Sequence, residues 1–141
     1  MEQRDLGDGF WALKAAPGEE LLGALTGFLN EKEIYAGFVT GIGAAREAEI
    51  GHFDPRAKVY HKETVPGPVE IISLNGNVSR LEDGQAFLHC HAALSLPDMS
   101  VRAGHLFGAV VDPTCELYLR ALPGAVERRL VPEYGIKLWR L

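Results

Sequence analysis

Cysteine is scarce in this chain, and basic clusters and long apolar runs are missing altogether. The two cysteines, Cys90 and Cys115, form no C-x-x-C pair and no disulfide framework. Both fall in runs that read as buried strands, which predicts two packed thiols rather than a disulfide. No apolar stretch approaches the ~20 residues that a helix needs to cross a bilayer. The opening MEQRDLGDGFW has neither the basic start nor the apolar run of a signal peptide. A cytoplasmic protein without membrane contact is expected. Lys and Arg number 14 against 19 Asp and Glu, a formal net charge of -5. The densest basic group is Arg128-Arg129, and two adjacent arginines make no stripe for a phosphate backbone. Intrinsic DNA binding is therefore expected to be weak or absent.

What is there suits an ordinary globular chain. Hydrophobic residues make up 47% of the 141 residues and charged ones 23%, enough to build a core. No repeat, low-complexity tract or linker divides the chain, so one domain over residues 1–141 is expected. Pro17-Gly18 opens a helix, with Glu19 and Glu20 expected in its first turn, where negative charge suits the dipole. Leu21, Leu22, Leu25, Phe28 and Leu29 then make one apolar face, ending near residues 30–32.

Most of the remaining signals are strand. Gly7 to Lys14 precedes the helix. After it come Tyr35 to Thr40, Glu47 to Phe53, Val59 to Val65, Val69 to Val78, Gln85 to Leu96, Ala109 to Val111, Cys115 to Leu122 and Ile136 to Leu141. The breaks are read at Gly41-Ile42-Gly43, Asp54-Pro55, Pro66-Gly67-Pro68, Glu82-Asp83-Gly84, Pro97-Asp98, Asp112-Pro113 and Pro123-Gly124. One main helix among many strands indicates an α+β fold with a mostly antiparallel β-sheet.

Chemistry concentrates in the histidines. His89 and His91 lie two apart in the longest strand, so both project from one face. Cys90 projects from the other, with Leu88, Ala92, Leu94 and Leu96, and is a poor co-ligand. His105 follows the Pro97-Asp98 turn, and the intervening segment is long enough to bring it back beside the pair. Three neutral imidazoles with an open position suit zinc or another divalent metal ion. H-x-H alone also occurs on wet sheet faces, where each ring is satisfied by hydrogen bonds. The cupin version needs a nearby Glu, and none follows His91 before Glu116. Glu116 shares a polar strand face with Tyr118 and Arg120, and is at once a candidate base and an ordinary exposed carboxylate. His52 and His61 read as surface or interface residues. Gly41-Ile42-Gly43 lacks the third glycine of a dinucleotide fingerprint and reads as a tight turn. Nothing marks a nucleophile elbow or a catalytic cysteine.

Taken in order, several segments resemble a known family. Gly67-Pro68-Val69-Glu70-Ile71-Ile72-Ser73-Leu74-Asn75-Gly76 is similar to the G-x-x-E-I-L-S-L-x-G segment of PPC ("plants and prokaryotes conserved") domains. Leu88-His89-Cys90-His91-Ala92 and Ala103-Gly104-His105-Leu106 resemble the H-x-H and G-G-H-L elements of prokaryotic members, with Ala103 in place of a glycine. Pro17-Gly18-Glu19-Glu20 and Gly41-Ile42-Gly43 also match. The resemblance implies a central antiparallel sheet, assembly as a homotrimer, and clustering of His89, His91 and His105, usually around zinc. Val69, Ile71, Val110, Val111, Leu138 and Trp139 look like more apolar material than one helix can cover, in keeping with a trimer. Plant members join this domain to an AT-hook that enters the minor groove. No R-G-R-P or basic tail occurs among these residues. Two functions remain open. One is a metal-binding PPC-domain module, transcription-associated or DNA-associated through partners, with a protein or small-molecule ligand. The other is a small metal-dependent enzyme in which the three histidines activate water or polarise a substrate, with Glu116 as base.

Overall fold

The helix follows the Pro17-Gly18 turn and carries Gly23 and Gly27 within it. In the computed structural model, which describes residues Met1 to Leu141, α1 spans Leu21–Glu31. Glu20 is its N-cap and not part of its first turn. The Glu20 carboxylate accepts from the backbone N–H groups of Leu22 and Gly23, satisfying donors that have no partner within the helix. The same carboxylate accepts from the Ala109 N–H, tying the helix start to the sheet. Leu21, Leu25, Phe28 and Leu29 are buried, and the Trp11 ring meets Phe28 edge-on at 5.2 Å.

Eight strands make up the sheet: β1 Glu2–Gly7, β2 Phe10–Ala15, β3 Gly37–Asp54, β4 Val59–Arg80, β5 Ala86–Ser95, β6 Val101–Ala121, β7 Glu127–Val131 and β8 Ile136–Arg140. All named pairings are antiparallel except the single parallel bridge Arg80–Glu127, which joins β4 to β7. β3 bonds to both β4 and β6, and β5 also bonds to both β4 and β6. These four strands therefore close into a ring, with α1 packed against β5 and β6. The buried side chains of the ring, among them Val39, Ile71, Leu74, Leu94 and Leu106, form the core with the helix.

The fold is more β-rich than expected, because breaks in the sequence pattern lie inside strands. Gly41-Ile42-Gly43 is no turn: β3 runs through it, bonded on both sides, with a register shift against β4 between Gly41 and Gly43. Pro66-Gly67-Pro68 does not end β4. The register jumps there, from Ala45 opposite Val69 to Glu47 opposite Pro66. Asp112-Pro113 likewise sits where Gly43 faces Cys115 and Ala45 faces Val111. Prolines that cannot donate a ladder bond thus occupy irregular positions, where none is required.

Both thiols are free and buried, as expected. Burial, with Cys115 nearby, pushes Cys90 up to about 12. Burial and the neighbouring Glu116 push Cys115 up to about 11. Val69, Ile71 and Val111 are covered within the chain itself, contrary to the expectation that they need an outside partner. The exposed apolar side chains include Phe38, Ile42, Ile72, Tyr118, Leu138 and Trp139. No helix is long and apolar enough to cross a membrane.

Candidate metal centre

Two strands of the ring carry the three histidines. His89 and His91 stand on β5 opposite Asn77 and Asn75 of β4. Period-two alternation turns both away from the core, while Leu88, Cys90 and Ala92 point into it. The third histidine reaches them as expected, by the chain folding back around Pro97-Asp98, and strand pairing fixes its place. β5 and β6 are neighbours in the sheet, and His105 lies directly opposite His91. On its other side His105 faces Gly51 of β3. The preceding glycine makes this approach possible: a Cβ on Gly104 would stand 2.6 Å from the Gly51 carbonyl oxygen. Only a residue without a side chain lets β6 lie this close to β3.

The ring centroids are 5.1 Å apart for His89–His91, 5.0 Å for His89–His105 and 5.4 Å for His91–His105. One nitrogen from each ring can be chosen so that all three lie within 4.8 Å of one another. Tyr60 at 5.1 Å and Phe107 at 4.6 Å wall His105. His105 Nδ1 is buried without a hydrogen-bond partner, an unusual state for a buried polar atom. Loss of hydration, then the positive neighbours Arg128 and His91, lowers His89 from the usual 6.5 to about 4. Loss of hydration lowers His105 to about 4 as well, reinforced by the other histidines, Arg128 and Lys62. Both rings are neutral at pH 7, the state in which imidazole offers a lone pair to a metal. The donor set and the orphaned nitrogen fit a divalent ion that favours nitrogen ligands.

No pattern in the sequence points to Arg128 at this place. It comes from β7 and is only 5% exposed. Its Nε donates to Ser79 Oγ at 2.8 Å, Nη1 to the Lys137 carbonyl at 2.7 Å, and Nη2 to Asn77 Oδ1 at 3.0 Å. Nη2 also lies 3.1 Å from His89 Nδ1. The guanidinium stands 5.1 Å from the Phe87 ring centroid and 5.9 Å from that of Trp139.

Glu116 stands elsewhere. It is exposed near the other end of β6 and lines a groove of about 660 Å³ with Thr40, Ile42, Ile72 and Tyr118. His52 and His61 face one another across β3 and β4, both exposed, as expected of surface residues. His61 Nε2 lies 3.7 Å from Asp54 Oδ2.

The model of the Plants and Prokaryotes Conserved domain (written PCC or PPC) matches residues 7–123 of this chain. The chain belongs to the PPC family. A PPC protein from Pyrococcus horikoshii is 31% identical, with TM-score 0.88, covering 99% of this chain and 94% of its own. The metal-containing protein from Archaeoglobus fulgidus is 37% identical, with TM-score 0.88 and full coverage of both chains. A candidate DNA-binding protein from Bacteroides thetaiotaomicron is 29% identical, with TM-score 0.93, covering 99% of this chain and 96% of its own. No curated protein matches the sequence. In this PPC chain the family match contains all three histidines and stops short of β7, so Arg128 lies outside it.

Proposed function

We propose that this PPC protein is a homotrimeric metal-binding module in which His89, His91 and His105 hold zinc or another divalent ion. The observation that carries the reading is the convergence of three imidazole nitrogens within 4.8 Å. The neutrality of His89 and His105 and the unpartnered His105 Nδ1 support it. So does the relative of 37% identity that is named a metal-containing protein. Phe38, Ile42, Ile72 and Tyr118, exposed on β3, β4 and β6, are apolar surface of the kind that subunits cover. The net charge of -5 favours action near DNA through partners rather than through a direct grip on phosphate. Localisation in the cytoplasm is part of the same proposal. The test is elemental analysis of untagged protein, followed by calorimetric titration with zinc. One ion per chain is expected for the wild type, and at least tenfold weaker binding for His91→Ala. Equal zinc uptake by wild type and a variant with all three histidines changed to alanine would refute the metal site.

A second reading, a small metal-dependent enzyme, has one observation in its favour. The cluster offers three side-chain donors, and Cys90 faces the opposite side of β5. An ion held there would have room for water or a substrate oxygen, and would supply Lewis-acid polarisation. The chain's own part is to orient the imidazoles and to keep those of His89 and His105 deprotonated. Metal-dependent turnover of a screened ester or phosphoester, lost in His105→Ala, would select this reading over the module.

A further inference from the structure

We propose that Arg128 and the histidine cluster together form a binding site for an oxyanion, a carboxylate or phosphate group; this rests on the metal reading above. The first observation is a charge without a counter-charge. Arg128 is nearly fully buried, yet all its acceptors are neutral: Ser79 Oγ, the Lys137 carbonyl, Asn77 Oδ1 and His89 Nδ1. No ion pair involves it. Buried guanidinium groups ordinarily have a carboxylate or phosphate partner, because leaving water is costly for an unpaired charge. The other charges that act on the cluster are positive too. Arg128 and Lys62 both bear on His105, and no carboxylate does.

The second observation is the hydrogen bond between Arg128 and His89. Guanidinium only donates, so His89 Nδ1 accepts in this contact, with the ring proton on Nε2. A metal ion on His89 must draw on the Nδ1 lone pair or move that proton to Nδ1. Either way, one N–H of Arg128 Nη2 loses its acceptor beside the ion. Three neutral imidazoles do nothing to offset the charge of a divalent ion, which adds to that of Arg128. One ligand cures both faults: an oxyanion with one oxygen toward the ion and another toward Arg128. Arginine forks suit such two-oxygen groups.

The experiment uses cobalt(II) as a coloured substitute for zinc. Visible spectra of the cobalt-loaded protein are titrated with sodium acetate and, separately, with inorganic phosphate, at constant ionic strength. The wild type should show a saturable spectral change. Arg128→Gln should bind cobalt but require about tenfold more anion, and Arg128→Lys should fall between. Circular dichroism reports whether each variant is folded. If Arg128→Gln does not fold, the Arg128→Lys comparison decides alone. A response to acetate only assigns a carboxylate ligand, and to phosphate only a phosphate group. Equal anion affinity in wild type and the folded variants would overturn the proposal, as would no response to either anion. If the wild type takes up no cobalt, the metal reading fails by itself. The oxyanion site is then judged by NMR of the metal-free protein, where phosphate or acetate must shift the Arg128 Nε–H resonance, and the absence of a shift overturns it.

Discussion

Acidification of the metal-free protein should remove stability in a window fixed by two histidines. His89 and His105 stay neutral in the folded chain down to about 4, whereas unfolded imidazole takes its proton near 6.5. Between these values the unfolded state binds protons that the folded state refuses. Stability from this source is therefore complete above pH 6.5, falls as pH drops toward 4, and changes no further below that. The gap is worth about 3.4 kcal/mol per ring at about 1.4 kcal/mol per pH unit. Both rings are only half withdrawn from water, and screening at such sites cuts the figure by about half, leaving about 3 kcal/mol for the pair. The assay is urea unfolding in EDTA at fixed protein concentration, from pH 7.5 to 4 in steps of about half a unit. The control is a variant with His89→Gln and His105→Gln, because Glu19, Asp54 and Asp98 are also held low and contribute as they protonate at more acidic pH. Wild type should lose about 3 kcal/mol more than the control across the window. Parallel curves for the two proteins would refute the reasoning.

Gly104→Ala should destabilise the chain by about 2 kcal/mol, since the added methyl meets the Gly51 carbonyl at 2.6 Å; it should also weaken zinc binding at least tenfold by displacing His105, both read by thermal melts with and without zinc. Cys90 and Cys115, with pKa values raised to about 12 and about 11, should be silent to a thiol reagent at pH 8 and react only with urea present; fast native labelling would contradict their burial. Light scattering should give three times the 15.4 kDa chain mass at micromolar concentration, and a monomer would remove the trimer. Fluorescence anisotropy with duplex DNA at ~0.15 M salt should show no sub-micromolar binding.

The histidine pair was legible because it needs only the two-residue period of a strand, and that period survives any arrangement of neighbours. The third histidine was legible as a candidate, and so was the fold-back after Pro97-Asp98, but the exact register was not. Pairing of His105 with His91 depends on the β5–β6 register, a tertiary property. Punctuation misled at Gly41-Ile42-Gly43, Pro66-Gly67-Pro68 and Asp112-Pro113. These residues oppose regular strand locally, but register shifts in the flanking ladders absorb them. β1 was missed because all six of its residues are exposed, so no apolar alternation marks it. Glu116 seemed near the site only through shared polar periodicity; it lines the groove near the other end of β6.

Arg128 shows why a charge count needs the fold beside it. In the sequence, Arg128-Arg129 is the densest basic pair, and so the best available candidate for phosphate contact on the surface. In the structure, β7 and β8 pair with each other and β7 meets β4 at one bridge, which brings this arginine over Ser79 and Asn77. Its guanidinium is consumed inside the site, and only Arg129, 3.6 Å from Glu82, is left outside. The outer surface thus has less free positive charge than the sequence suggests, which strengthens the case against direct DNA binding. The same burial puts an uncompensated cation beside the three imidazoles. The charge missing from the outside is therefore the charge that would select an anion on the inside.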